Sequence, residues 1–295
     1  MEPAPQSPIA SVVIPAHNEA AVIRRCLNAL LNGFAPLELD VVVACNGCTD
    51  DTADVVRSTW PTVRLIEIPK ASKPAALRAA DETLSIFPRI YLDADITLPS
   101  KSARILIESL RSGSIAARPS LIYDTSYSDA FVRSYYRTQV RLQSYRNSLW
   151  PAVYGLSQMG RSRFSTFPDV IADDLFVSHY FKPSEIDIVA IDHPAVIHAQ
   201  RRIRDLLRVV RRRRKGNAEI YSLPDGPQST ASSTVRTLLK TAASGPAVAL
   251  DTLFYLLFAI IVRISVIVSP PRGWSRDESS RSEATKFDTY KKELA

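Results

Sequence analysis

The sequence predicts a doubly wound, mostly parallel α/β sheet with an apolar helical segment near its C-terminal end. Three observations support this fold class. Short β-branched runs alternate four times with amphipathic helical segments between residues 10 and 110, a pattern typical of parallel βαβ units. Polar clusters follow three of these strands, at the edge where such sheets bind ligands. Residues 247–268 form a long apolar run.

The first strand is predicted over Ala10–Ile14, a β-branched run closed by Pro15. Asn18 is placed to cap the amphipathic helix that follows. The next elements, in chain order, are a strand over Leu39–Ala44, a helix from Asp50 or Asp51, a strand over Val63–Ile68, a helix over Lys73–Leu84, a strand over Arg89–Leu92 and a helix over Ser100–Leu110.

The second half of the chain is less regular. Its predicted elements are a helix over Ser128–Asn147, a return to the sheet over Val153–Phe164, a helix over Asp173–Phe181, short strands within Ile186–Ile197 and a basic helix over Gln200–Lys215. The predicted organisation is a disordered lead-in (1–8), an α/β domain (9–220), a linker or helix (221–242), a hydrophobic membrane-associated helix (243–268) and a charged mobile tail (269–295).

The charge balance favours anionic partners. The 295 residues carry a net charge of +7, and nine Arg or Lys residues fall within 201–215. Phosphates or a membrane surface fit this pattern, whereas the absence of interleaved aromatic residues there argues against nucleic acid. Three cysteines are too few for a disulfide framework and indicate a reducing compartment.

The apolar run 247–268 would span about 33 Å as a helix, enough for a bilayer core of about 30 Å. Asp251 and Arg263 lie away from its centre, where charges are less costly. Two interpretations stay open, a membrane span and a helix docked on the domain. Membrane association and a reducing compartment together predict a location at the cytoplasmic face of the plasma membrane.

Asp93-Ala94-Asp95 follows the fourth predicted strand. Strand alternation points Asp93 and Asp95 the same way, and paired carboxylates hold Mg²⁺ or Mn²⁺. A diphosphate would complete the coordination, and the metal would neutralise charge on a leaving phosphate. Taken alone, two carboxylates in this spacing also fit a solvated acidic loop.

Two further clusters follow the first and second strands. Asn18 and Glu19, beyond Pro15-Ala16, offer acceptors for a base or ribose, although helix capping explains them equally well. Asn46 is suited to contact a nucleotide base. The pair Cys45 and Cys48 lacks the second Cys or His pair of a zinc site, so a metal or redox role is not favoured.

Together these motifs resemble the family-2 glycosyltransferases, which have the nucleotide-sugar-binding GT-A fold. The similar segments, in order, are Ser11–Glu19 for the first strand and loop, Asn46–Thr52 for the base-contacting loop, Lys73–Ala80 for a Lys-x-x-Ala-Leu-Asn stretch and Asp93–Asp95 for the metal motif. The resemblance covers about residues 9–215. It implies a metal-dependent transferase that binds its donor partly through Lys73.

The resemblance extends to Asp173-Asp174, similar to the family's acidic pair before a helix. It implies that Asp174 is the general base of an inverting reaction, since an acceptor hydroxyl must lose a proton as it attacks the sugar. Arg204 and Arg208, on one face of the basic helix, are expected to meet the diphosphate or lipid head groups. His198 is a further candidate metal ligand, although a lone His is more often structural.

Two departures from the family pattern matter. Asn46 stands where the family more often has Asp, which leaves the nucleotide open. Gln200–Arg204 only partly matches the Gln-x-x-Arg-Trp motif of processive members, which favours transfer of a single sugar to an acceptor hydroxyl. The expected proximity of a membrane suggests a lipid-linked or envelope glycan as the acceptor. The alternatives are a sugar nucleotidyltransferase, disfavoured because residues 15–19 lack glycine, and a non-catalytic membrane-bound relative.

Overall fold

The computed structural model describes residues 7–142, 148–149, 152–222, 237–238, 240 and 242–268. Most of the predicted lead-in and linker, and all of the tail over 269–295, lie outside the described residues, so these remain predictions. The apolar segment and the α/β domain lie within them.

The main sheet confirms the predicted fold class. Its strands are β1 (Ala10–Ala16), β2 (Leu39–Asn46), β3 (Arg64–Ile68), β4 (Arg89–Leu92), β6 (Ala116–Pro119), β8 (Val153–Leu156) and β9 (Ile186–Val189). Their order across the sheet is β3-β2-β1-β4-β8-β6-β9, and all are parallel except β8, which is antiparallel to both of its neighbours.

Helices lie on both faces of this sheet and beside it. They include α1 (Ile23–Leu31), α2 (Thr52–Thr59), α3 (Lys73–Glu82), α4 (Ser100–Arg111), α5 (Ala130–Gln139), α6 (Gln158–Arg161), α7 (Asp173–His179), α8 (Ile203–Tyr221) and α9 (Pro246–Val268). One core cluster joins the β-strands to α1, α2 and α4, and a second joins them to α3 and α7. The alternation along β1, in which Val12 faces one cluster and Val13 the other, creates this arrangement.

The position of β1 brings the predicted motifs together. All seven of its residues are buried, and it pairs in parallel with β2 on one side and β4 on the other. The carboxyl ends of the three strands therefore meet at one edge of the sheet. The loop after Ala16, Asn46 and Asp93 all lie at that edge, as the sequence predicts.

A second, three-stranded sheet has the order β5-β10-β7 and was not predicted as a separate layer. It consists of β5 (Ile96–Thr97), β7 (Leu121–Asp124) and β10 (Ala195–His198). Its register sets His198 beside Asp124. Since β5 directly follows Asp95, this sheet delivers His198 to the end of the metal motif.

Several predicted boundaries differ from the structure. Asn18 does not cap α1, because a turn intervenes and Val22 precedes the helix. Instead Asn18 adopts a positive φ of 52°, and its side chain accepts hydrogen bonds from the amides of Thr49 (2.6 Å) and Asp50 (3.2 Å). Only the first residues of Val153–Phe164 are a strand, and the basic helix extends to Tyr221.

The apolar helix α9 packs on α5 and α8 through one face. The Asp251 carboxylate, a charged group within this apolar helix, accepts hydrogen bonds from Ser134 (2.7 Å) and Arg137 (2.7 and 2.6 Å). Tyr255 stacks on Tyr135 with 5.0 Å between ring centroids. By length and composition, α9 is the one helix among the described residues that could also cross a membrane.

Candidate active site

A cleft opens at the carboxyl edge of the main sheet, between the β1, β2 and β4 loops on one side and α7, α8 and the small sheet on the other. The predicted site residues that line it are Pro15, Glu19, Asn46, Lys73, Asp93, Asp95, Asp173, Asp174 and His198. The structure thus brings together most of the residues chosen from the sequence.

Lys73 ties the metal motif to the acidic pair. It is the first residue of α3, where Pro74 and the capping hydroxyl of Ser72, which accepts from the Ala75 amide, set the start of the helix. Its ammonium lies 2.7 Å from an Asp93 oxygen and 3.0 Å from an Asp173 oxygen. Burial alone would lower the pKa of Lys73, but these carboxylates outweigh burial and raise it.

The carboxylates of the cleft are electrostatically linked. Burial raises the pKa of Asp174 to about 7, and the neighbouring Asp173 adds to the effect. Burial also raises the pKa of Asp93, with further contributions from Asp173 and Asp95 that Lys73 opposes. A carboxylate whose pKa lies near neutrality is suited to accept a proton during a reaction.

The three residues predicted from the sequence to bind a metal, Asp93, Asp95 and His198, all line this cleft. The His198 ring is held by Thr97 Oγ1 at 3.0 Å from Nε2 and by Asp124 Oδ2 at 3.4 Å from Nδ1. Burial lowers the pKa of His198, which favours the neutral imidazole, and a metal ion would have to displace one of these two partners to reach a ring nitrogen. Two carboxylates beside a neutral imidazole fit Mg²⁺ or Mn²⁺, ions that take their remaining ligands from phosphate and water.

No preformed cluster of three or more potential metal ligands occurs within the part of the chain that the structure describes. Asp93, Asp95 and His198 therefore line the same cleft without forming such a cluster, and a divalent ion there would need further ligands from phosphate and water. Such an ion would be held jointly by protein and donor rather than by a closed protein cage.

The residues predicted to bind the nucleotide fall into two groups. Pro15 and Glu19 line the cleft, as does Asn46, whose amide nitrogen donates to the Ala16 carbonyl (2.8 Å) and whose oxygen accepts from the Ser72 amide (3.0 Å). Asn46 thus joins β1, β2 and the start of α3. Ala16 and Asn18 support the walls of the cleft. The Ala16 carbonyl accepts the hydrogen bond from Asn46, and the Asn18 side chain accepts hydrogen bonds from the loop at residues 49–50.

Arg204 and Arg208 do not line the cleft. Both side chains are more than 60% exposed and lie near Asp205, so their predicted contact with a diphosphate or with lipid head groups stays a prediction. The cleft is lined instead by Arg212 and Arg213 of the same helix. Four successive arginines, at 211–214, cover nearly all directions around a helix, so charge spacing alone does not identify the inward face.

Tyr123 and Tyr136 also line the cleft and were not singled out from the sequence. Their rings pack with 4.1 Å between centroids, beside Arg213, which donates to the hydroxyl of Tyr135 (2.6 Å). These residues come from β7, α5 and α8, elements without a shared motif. The signal that could have found them is the concentration of aromatic residues in 123–136, next to a basic helix.

A doubly wound sheet with paired carboxylates at its carboxyl edge is the arrangement of GT-A glycosyltransferases. The family model described as "Glycosyl transferase family 2" matches residues 11–163, which is 153 of the 295 residues. The chain belongs to glycosyltransferase family 2. This assignment disfavours the alternative of a sugar nucleotidyltransferase.

Similar proteins by sequence align over short stretches. A chondroitin synthase from Pasteurella multocida (strain Pm70) is 29% identical over 104 residues, which is 34% of this chain and 11% of that protein. A validoxylamine A glucosyltransferase from Streptomyces hygroscopicus subsp. jinggangensis is 46% identical over 59 residues, 20% of this chain and 14% of that protein. The chain therefore matches only a small part of the length of these relatives.

Similar structures cover far more of the chain. A mannosyltransferase from Pyrobaculum calidifontis, in complex with GDP-Man and Mn²⁺, has a TM-score of 0.60 at 19% identity, covering 89% of this chain and 88% of that one. Glucosyl-3-phosphoglycerate synthase from Mycobacterium tuberculosis, with Mn²⁺ and UDP-glucose, has a TM-score of 0.52 at 18% identity, covering 75% and 81%. At these identities the likeness establishes the fold.

Proposed function

We propose that this protein is an inverting, metal-dependent glycosyltransferase that moves one sugar from a nucleotide-diphosphate sugar to an acceptor hydroxyl. The observation that supports this proposal is the convergence of Asp93, Asp95 and Asp174 on one cleft at the carboxyl edge of the sheet. Two similar structures bind GDP-Man or UDP-glucose together with Mn²⁺, which is consistent with this donor class.

In this proposal Asp95 and Asp93 would hold Mg²⁺ or Mn²⁺, with His198, which lines the same cleft, as a further ligand. A bound divalent ion would neutralise negative charge on the departing diphosphate. Pro15, Glu19 and Asn46 form the part of the cleft assigned to the nucleotide. Arg212 and Arg213 replace Arg204 and Arg208 as the arginines assigned to phosphate groups.

Asp174 is assigned the role of general base. Its carboxylate takes the proton of the acceptor hydroxyl while that oxygen forms a bond to the anomeric carbon. The bond from this carbon to the diphosphate oxygen breaks with its electron pair, and attack from the opposite face inverts the configuration. Asp173, which is 3% exposed and paired with Lys73, is assigned to positioning this acidic pair rather than to proton transfer.

We further propose that the acceptor is a lipid-linked or envelope glycan and that the protein works at the cytoplasmic face of the plasma membrane. This proposal rests on the apolar helix α9 and on the basic helix α8, which contributes Arg212 and Arg213 to the cleft wall. Gln200–Arg204 matches the motif of processive members only in part, and this incomplete match favours the addition of a single sugar.

The test is a panel of nucleotide sugars assayed for transfer or hydrolysis with Mn²⁺ or with EDTA. Turnover is expected with Mn²⁺ only, and the anomeric configuration of the product, read by proton NMR, should be opposite to that of the donor. Asp174→Asn should bind donor and lose transfer. Metal-independent turnover, retention of configuration or an active Asp174→Asn variant would each contradict part of the proposal.

A further inference from the structure

Helix α9 presents an apolar stripe to the outside. Seven aliphatic residues recur every three or four positions and are between 52% and 80% exposed: Leu250, Leu253, Leu257, Ile260, Ile261, Ile264 and Ile267. At helical spacing they form one face about 26 Å long. We call this face the outer stripe. An exposed aliphatic surface of this length marks an interaction site.

The opposite face of α9 is committed to the domain. Asp251 is anchored by Ser134 and Arg137 of α5, the Tyr255 hydroxyl donates to Gln139 (3.0 Å), and Arg211 of α8 donates to the Ser265 carbonyl (3.1 Å). These contacts run along the helix from its second turn to its last. The docked helix therefore has only one face available for lipid.

This docking is incompatible with α9 crossing a bilayer as it stands. A transmembrane α9 would carry the neighbouring arginines of α5 and α8 into hydrocarbon, and each charge at the bilayer centre costs about 3 kcal/mol. The alternative of separating α9 from the domain would expose Asp251 to lipid and break its three hydrogen bonds. An orientation parallel to the membrane plane avoids both costs.

Cations lie beside the outer stripe. Arg263 is on the exposed side of α9, and Arg214 of α8 is also exposed. Burial lowers the pKa of Arg214, and the positive charge of Arg263 lowers it further. Two exposed cations on the helices that carry and flank the outer stripe complement the anionic head groups of a bilayer.

We propose that α9 lies in the plane of an anionic bilayer, with the outer stripe among the upper acyl chains and Arg214 and Arg263 at the head groups. The proposal deepens the proposed membrane location and is independent of the metal and of Asp174. The charge pair favours lipid over a second copy of the chain, because a symmetric contact would bring like charges together. It also sets α8, and with it Arg212 and Arg213 of the cleft wall, close to the membrane surface.

Flotation of the full-length protein with lipid vesicles tests the proposal. Binding to vesicles of phosphatidylcholine and phosphatidylglycerol is expected to exceed binding to phosphatidylcholine alone. The double variant Leu253→Glu/Leu257→Glu should lower the vesicle partition coefficient at least about tenfold, because two leucine side chains that insert into the bilayer are lost. The double variant Arg214→Glu/Arg263→Glu should remove the preference for anionic lipid.

The matched control is Met159→Glu on α6, a side chain 63% exposed on an element that carries no part of the outer stripe. It should bind vesicles like the wild type. Equal binding by the leucine variant, or equal loss in the Met159 variant, would overturn the proposal. So would a concentration-dependent dimer that replaces vesicle binding and disappears in the leucine variant.

Depth measurements separate the in-plane orientation from a span. Nitroxide labels at Leu250→Cys, Leu257→Cys and Ile264→Cys, each in a Cys48→Ser background, should report the same shallow depth. A maximum of depth at position 257 would show a transmembrane helix and contradict the proposal. Donor binding to the vesicle-free protein, measured in parallel, distinguishes failure of this proposal from failure of the proposed transferase activity.

Discussion

Replacement of Lys73 by Met should destabilise the protein strongly, because Lys73 separates two carboxylates that are otherwise close to each other. Its ammonium contacts Asp93 at 2.7 Å and Asp173 at 3.0 Å, and the Asp173 side chain is only 5% exposed. Removal of one partner from a buried ion pair costs about 3–5 kcal/mol. The lower value applies here, because Asp93 is one-third exposed and can take up a proton.

A loss of about 3 kcal/mol corresponds to a decrease in Tm of roughly 5 °C for a chain of this size. Thermal unfolding of Lys73→Met in metal-free buffer measures it. Lys101→Met, at an exposed position of α4, is the matched control and should unfold like the wild type. An unchanged Tm in Lys73→Met would refute the view that this lysine holds the metal motif and the acidic pair together.

Three further predictions follow from single contacts. Because the pKa of Asp174 is raised to about 7, the folded state binds a proton that the unfolded state has lost, so this residue lowers the free energy of unfolding as pH rises from about 4 to 7. Wild-type turnover should rise over the upper part of that range as the base ionises. Asp174→Asn should abolish turnover and remove this contribution to the pH dependence of the free energy of unfolding, measured by denaturation. Gly216→Ala would place a Cβ 2.9 Å from that of Ile171 and displace the segment before Asp173; a large loss of kcat is expected, and wild-type kinetics would contradict it. Asp251→Asn should lower the free energy of unfolding, measured by urea denaturation at pH 7, by about 1.5–3 kcal/mol. Since hydrogen bonds from Arg137 lower the pKa of Asp251, the difference between the variant and the wild type should shrink in acid. A difference that does not change with pH would count against the ion pair.

The sequence predicts the first half of the fold well because local and long-range signals agree there. Each β-branched run is a strand of a parallel sheet, and in such sheets the polar residue after a strand must lie at the carboxyl edge. Asn46 and Asp93 could therefore be placed together before the strand order was known. Lys73 was identified only through the family resemblance, and its contacts with Asp93 and Asp173 were not predicted.

The second half was less predictable because its strands are short and their pairing is non-local. The small sheet joins β5, β7 and β10 across a hundred residues, and no periodic pattern marks such a connection. The inward face of α8 could not be read from a run of arginines. The docking of α9 depends on the pairing of Asp251 with Arg137, which is 114 residues away in the chain.

The most direct test of the central claim is calorimetric binding of UDP and GDP with Mn²⁺ or EDTA to the wild type, Asp95→Ala and Asp54→Ala. Asp54 is an exposed carboxylate on α2 and serves as the control. At least one nucleotide should bind the wild type and Asp54→Ala in Mn²⁺, with at least tenfold weaker binding in EDTA and in Asp95→Ala. Equal affinity with and without Mn²⁺, or an unaffected Asp95→Ala variant, would contradict a metal-held diphosphate at Asp93-Ala94-Asp95.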